Sequence, residues 1–284
     1  MANSLGGTSG YTPRGAPLGN DHRGMAFTAF PPRQGLSERL SGAGGLTQIE
    51  FASLSRLSTN ELLSALPGED FARLLPHLEP ASHFSGESLY KFGEDVRHVY
   101  FPENAVVSQL HVLADGSMIE AALIGREGVL GLSAIFNSAP AAHLTQVAVA
   151  GSTLRVRAEI LRHEFERGGA LRRRVLGYAS ARMQQLSQRA VCNGRHGVEK
   201  RLCSWLLMVH DRAGDVQLSL THEQIAQHLG ARRAGVTIVA TDLKNKKIIA
   251  YSRGTVRILD RARLEAAACE CYPADKETFA GPLL

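Results

Sequence analysis

The chain has 284 residues, of which 44% are hydrophobic and 21% charged, enough for about two domains with true cores and too apolar for wholesale disorder. No stretch nears the roughly 20 apolar residues of a membrane helix. The N-terminus lacks a charged start followed by an apolar run, so neither a spanning nor a secreted protein is expected. All four cysteines, Cys192, Cys203, Cys269 and Cys271, fall late in the chain with no Cys-x-x-Cys pair, which favours reduced thiols in the cytoplasm.

Residues 1–50 hold ten of the 28 glycines and no hydrophobic period, so they read as a flexible tail; a misassigned start accounts for them equally well. Asn60 caps a short helical turn that stops at Pro67-Gly68, and Glu69 to Leu75 gives a second short helix before Pro76. From Ser82 to Ala158 the texture is β-rich. Val99-Tyr100-Phe101 ends at Pro102. Val106 to Leu113 and Met118 to Ile124 flank Asp115-Gly116, a strong hairpin signal because the turn needs positive φ. Leu144 to Val149 and Leu154 to Val156, around Gly151-Ser152, suggest a second hairpin, and the whole suggests a small barrel or sandwich.

Ala170 to Cys192 reads as one amphipathic helix with Leu171, Val175, Tyr178, Arg182, Leu186 and Arg189 as its stripe. It is longer than a small barrel needs for cover, so a two-fold mate is expected on that stripe, the other reading being cover for its own barrel. Asn193-Gly194-Arg195-His196-Gly197 is expected to break it as a hinge. Val198 to Asp211 is helical again, with Gly214 just past its end.

Thr221-His222-Glu223-Gln224 opens a helix with a capping box, and Gly230 supplies the left-handed residue that ends it. A second helix is expected from Arg233 to Asn245, with Val236, Val239, Ala240 and Leu243 inward. Two short helices joined through glycine form a helix-turn-helix pattern. Ile248 to Tyr251 and Val256 to Leu259, around Ser252-Arg253-Gly254-Thr255, form a wing behind it. Residues 231–263 carry nine cations against Asp242 and Asp260, a net of +7 that exceeds the +5 of the whole chain. A cationic helix that fits the major groove is what phosphate attraction and base reading require.

Leu220 to Gly230 followed by Arg232-Arg233-Ala234-Gly235-Val236-Thr237 resembles the DNA-binding domain of the Crp/Fnr family of bacterial transcription regulators. Val198 to Leu207 is similar to the helix that opens that domain, and Val99-Tyr100-Phe101-Pro102 and Ile124-Gly125-Arg126-Glu127-Gly128 resemble a branch of the family. The resemblance runs from about Asn60 to Tyr272. It implies an α+β fold: an N-terminal double-stranded, cyclic-nucleotide-binding-like β-roll, a long dimerisation helix and a C-terminal winged helix-turn-helix. The expected bounds are a tail over 1–50, the roll over 51–168, helix and hinge over 169–194, the winged head over 195–272 and a C-terminal tail over 273–284. Thr221, Gln224, Arg232, Arg233, Thr237, Lys244 and Arg253 are the expected DNA contacts. The family's recognition helix typically starts Ser-Arg-Glu-Thr-Val-Ser-Arg. Arg233 keeps its first arginine, whereas Ala234 and Ile238 replace its glutamate and second arginine, so better-known operator sequences do not carry over.

Gly125, Arg126, Glu127 and His143 are the candidate effector-pocket residues. Cyclic AMP is not expected, because no lysine or arginine occurs between Glu127 and Leu154 to neutralise a cyclic phosphate. No cysteine precedes Cys192, which excludes a four-cysteine iron–sulfur cluster in the sensor. Cys269-Glu270-Cys271 offers only two metal ligands and reads as two exposed thiols. His83, His98, His111 and His143 are weak grounds for haem. Glu164 with Glu166, and Asp115 with Glu120, read as surface carboxylates without a catalytic motif, so no enzyme, cofactor or metal is expected. The expected partners are double-stranded DNA, a second copy of the chain and RNA polymerase, with no membrane. The rival is a ligand-sensing β-roll interaction protein whose winged helix no longer binds DNA.

Overall fold

A computed structural model describes residues 57–137, 139–214, 218–252 and 254–280. The expected N-terminal tail and Arg253 lie outside the described residues. The first described helix stands where the sequence places it. The Asn60 side-chain oxygen accepts the N–H groups of Leu62 and Leu63 at the start of α1 (Glu61–Ser64), and its amide nitrogen donates to the carbonyls of Pro102 and Gly128. One buried cap thus ties the entry helix to two points of the sheet domain. Helix α2 (Gly68–Leu74) runs into a 3-10 turn at Leu75–His77 that tolerates Pro76 in its first positions.

Seven strands follow: β1 (Glu79–His83), β2 (Ser88–Tyr90), β3 (His98–Pro102), β4 (Val106–Val112), β5 (Met118–Ile124), β6 (Leu144–Val149) and β7 (Gly151–Arg157), with the short helix α3 (Leu132–Phe136) between β5 and β6. They form two antiparallel sheets, β1-β7-β3 and β2-β6-β4-β5, the β-roll that the resemblance implies. The β4–β5 hairpin forms around Gly116 at φ 82°. The second expected hairpin does not. β6 pairs with β4 and β2, whereas β7 pairs with β1 and β3, so the chain changes sheet at Ala150. A turn signal marks a change of direction, not which edge the next strand joins.

Helix α4 (Ala158–Glu166), which the sequence reading missed, leads into α5 (Gly169–Arg195). Asn193 and Gly194 do not break α5; the His196 N–H still bonds the Cys192 carbonyl, and the break falls at His196-Gly197. The stripe expected to face a second copy is buried within the chain instead: Leu171, Val175, Tyr178 and Arg182 are covered, and Leu186 stands out at 43% exposure. The closeness of that contact is set at Gly128, where a Cβ would lie 2.3 Å from the Tyr178 hydroxyl.

The C-terminal part contains α6 (Val198–Ala213), β8 (Leu218–Ser219), α7 (His222–Leu229), α8 (Arg233–Asn245), β9 (Ile249–Ser252), β10 (Thr255–Ile258) and α9 (Arg261–Ala267). The sheet β8-β10-β9 is the wing. The described part of the expected C-terminal tail is helical: α10 (Cys271–Ala280) accommodates Pro273 in its first turn and buries Tyr272 and Asp275. One hydrophobic core runs through Leu202, Trp205 and Leu206 of α6, Ile225 and Leu229 of α7 and Val236 and Leu243 of α8, and takes in Val106 and Leu123 of the roll. No helix among the described residues is long and apolar enough to cross a membrane.

Candidate nucleic-acid interface

Helix α7 begins as the sequence dictates. The Thr221 hydroxyl accepts the Gln224 N–H at 3.2 Å, and the Gln224 side chain accepts the Thr221 N–H at 2.8 Å. Gly230 ends the helix at φ 56°, ψ 45°, which an L side chain rarely adopts. Its α-carbon also sits against the roll, since an added Cβ would meet the Ile119 side chain at 3.1 Å. Ala231 and Arg232 make the connection, and α8 starts at Arg233.

The inner face of α8 holds Val236, Ala240 and Leu243, all buried. Its outer face presents Arg233, Ala234, Thr237, Ile238, Thr241 and Lys244, all exposed, with Ile238 at 71%. The side chains of Arg232 and Arg233 stand in solvent and make no hydrogen bond or ion pair among the described residues. Thr237 donates to the Arg233 carbonyl and lies 3.0 Å from His222 Nδ1, so its methyl and Oγ are fixed on the helix surface. His222 stacks on Tyr251 of the wing at 4.4 Å between ring centroids, joining α7, α8 and the wing at one corner. Burial and the charge of Arg233 hold the His222 pKa below its usual range.

Two cations of the +7 segment are diverted. Arg261 faces inward, bonding Asp211 at 2.7 Å, Glu265 at 2.9 Å and the Tyr272 hydroxyl at 2.7 Å. Lys246 pairs with Asp242 at 2.6 Å. The reading face therefore rests on Arg232, Arg233 and Lys244, with Lys247, Arg257 and Arg263 also exposed.

Opposite that face, the head is held on the roll by two buried charge networks. Glu120 of β5, expected at the surface, has a fully covered side chain. It accepts hydrogen bonds from Ser108 (2.7 Å), Arg189 of α5 (2.8 Å) and Trp205 Nε1 (3.1 Å), and lies 2.8 Å from His228 Nδ1 of α7. Burial opposes its ionisation, but the His228 hydrogen bond and the charges of His228 and Arg189 bring its pKa down to about 2. His228 also stacks on Trp205 at 4.8 Å.

The second network takes up part of the expected effector pocket. Glu127 accepts the Arg212 guanidinium at 2.7 Å and the Gly125 N–H at 3.1 Å, and Arg212 also reaches Asp275 at 3.2 Å. Two carboxylates outweigh the cost of burial and hold the Arg212 pKa above its usual range. Arg126 is exposed and pairs with Glu61 at 3.2 Å. His143 makes an edge contact with His111 at 4.4 Å and shares no hydrogen bond with Gly125, Arg126 or Glu127 among the described residues. Sequence reasoning missed Glu120, Arg189, Trp205, His228 and Arg212. They carry no motif, and only a polar residue inside an apolar strand pattern hints at Glu120.

Residues 200–267 match the Crp-like helix-turn-helix domain. With the roll, the long helix and the exposed α8, this makes the chain a DNA-binding transcription regulator with a Crp-like reading head. Among individual proteins, it is similar to the transcriptional regulator LdrP of Thermus thermophilus, 27% identical over 192 residues that cover 64% of this chain and 93% of LdrP. The fold is shared with TTHB099, a CRP-family transcriptional regulator also from Thermus thermophilus (23% identity, TM-score 0.57, covering 66% of this chain and 96% of that one). It is also shared with FixK2 of Bradyrhizobium japonicum (18% identity, TM-score 0.57, covering 68% and 98%).

Proposed function

We propose that the chain works in the cytoplasm as a homodimer that reads a two-fold operator. In this reading α8 lies in the major groove, Arg233 bonds a guanine edge, and Arg232 and Thr237 meet a neighbouring base or phosphate. Gln224, whose amide N–H groups are not used by the capping box, and Lys244 fix register on the backbone. Arg253, which falls between the two wing strands in the sequence, is assigned the same role. The observation that carries this reading is the unpaired, exposed arginine pair at the start of a helix whose other face is buried.

The dimer is supported by a face of α5 that shares only Leu186 with the sequence stripe. Leu176, Ala179, Met183, Leu186 and Ala190 follow a heptad spacing of alternating three and four residues. Within it Leu176, Met183 and Leu186 are 47%, 72% and 43% exposed. The functional division we infer is a sensor roll to residue 168, a coupling helix over 169–196 and a reading head from Gly197 onward.

The chain acts by binding and not by catalysis, and RNA polymerase is its further partner. The sensor does not take cyclic AMP, since Glu127 is already neutralised by Arg212 and no cation follows it up to Leu154. A signal at the roll acts by shifting the population of heads free to dock. Genome-wide mapping of bound DNA tests this: one enriched palindrome with half-sites about 34–36 Å apart is expected, and recovery without any motif overturns it.

A further inference from the structure

Cys269 and Cys271, two ligands without partners in the sequence, are buried at 3% and 7% exposure, not displayed as free surface thiols. The fold brings Cys192 to them from the last turn of α5 and His196 from the residue that caps it. The His196 N–H bonds the Cys192 carbonyl at 3.0 Å, which keeps the two close at the helix end. The four donor atoms, three Sγ and a ring nitrogen, all lie within 4.8 Å of one another.

We propose that Cys192, His196, Cys269 and Cys271 form a structural zinc site that clamps the end of α5 to the start of α10. The spacings suit a tetrahedral ion. Cys192 Sγ and Cys269 Sγ are 3.6 Å apart, and Cys271 Sγ and His196 Nδ1 are 3.5 Å apart. Zinc bonds of about 2.3 Å to sulfur and about 2.0 Å to nitrogen place tetrahedral neighbours about 3.8 Å (S–S) and about 3.5 Å (S–N) from each other. The surroundings are also those of a metal site. His196 Nε2 sits 3.2 Å from Glu270 Oε1, a carboxylate that fixes the ring with Nδ1 toward the sulfurs. Gln188 Nε2 donates to Cys271 Sγ at 3.1 Å, and Ser204 Oγ lies 3.1 Å from Cys269 Sγ. Three thiols give their protons to water as the S–Zn bonds form, which leaves a net charge of −1 at the ion. Arg201, whose charge interacts with Cys192 and Cys269, offsets it.

A Cys192–Cys269 disulfide is the competing use of these sulfurs. It would leave Cys271 and His196 without a role, and its bond of about 2.05 Å requires the two sulfurs to close up. Four protein ligands in a largely buried cluster make a closed, structural site and not a catalytic one. Its position beside His196-Gly197, where α5 gives way to the reading head, makes the clamp a brace on that joint.

The test is metal analysis of the full chain, expressed with zinc and purified without chelator. One zinc per chain is expected in the wild type and in Cys203→Ser, and its loss in Cys269→Ser, Cys271→Ser and His196→Ala. Cobalt exchanged into the wild type should give the intense visible bands and thiolate charge transfer of a tetrahedral sulfur-rich site. Zinc should slow alkylation of Cys192, Cys269 and Cys271 together, a readout that does not depend on any variant folding. Substoichiometric zinc with a weak octahedral cobalt spectrum, or a Cys192–Cys269 disulfide in the protein purified this way, overturns the proposal.

Discussion

Arg189 and Arg212 lie where the reading head meets the roll, each bonded to a buried carboxylate, whereas Arg232 and Arg233 stand in solvent at the start of α8 without an acidic neighbour among the described residues. The same side chain serves opposite ends. A buried guanidinium has lost its hydration and is tolerable only with its partner in place, so it fixes one arrangement of roll, long helix and head. An exposed, unpaired one gives up little on meeting a phosphate or a guanine, so its charge remains available to a ligand. Architecture and recognition in this chain are thus separated by solvent access more than by residue type.

The largest effect should come from breaking the buried side of that contrast. Glu120→Ala leaves Arg189, His228 and Trp205 facing an unfilled acceptor and should cost about 3–5 kcal/mol, read as a fall in the urea midpoint. The same carboxylate sets an acid limit. Its pKa lies near 2 in the folded chain against an ordinary 4.5, so its contribution is complete above about 4.5 and is lost as pH falls from there toward 2. At 1.36 kcal/mol per unit the loss is about 3 kcal/mol. Glu120→Gln should flatten the decline of urea midpoint over that pH range; an unchanged slope would remove Glu120 from the account.

The exposed side should respond through DNA and not through stability. Arg233→Ala should lower affinity for the mapped operator by about 1–3 kcal/mol while random duplex binds as before, and equal loss on both would deny it a base contact. Met183→Glu should convert the proposed dimer to monomer in sedimentation while each chain stays folded. Lys244→Ala should make the smallest change, weakening all duplexes alike and reducing the slope of log affinity against log salt by about 1.

What was legible in the sequence follows the range of the forces. The capping box at Thr221 and Gln224, the left-handed Gly230 and the bounds of α8 depend on neighbours a few residues away, and each stands where the sequence puts it. The β6–β7 hairpin failed because strand partners are chosen by distant edges. Asn193 and Gly194 failed to stop α5 because a glycine costs about 1 kcal/mol in a helix, less than packing recovers around the buried Cys192. The contacts of Glu120 with His228 and of Cys192 with Cys269 join residues 108 and 77 positions apart, beyond any local pattern.

Ile238 stands 71% exposed in the middle of the cationic face of α8, where the resemblance places an arginine. An aliphatic group in that place has no use for a guanine edge, but it complements the C5 methyl that only thymine offers in the major groove. The operator recovered for this chain should carry an A·T pair under that residue, with a preference that uracil in place of thymine abolishes.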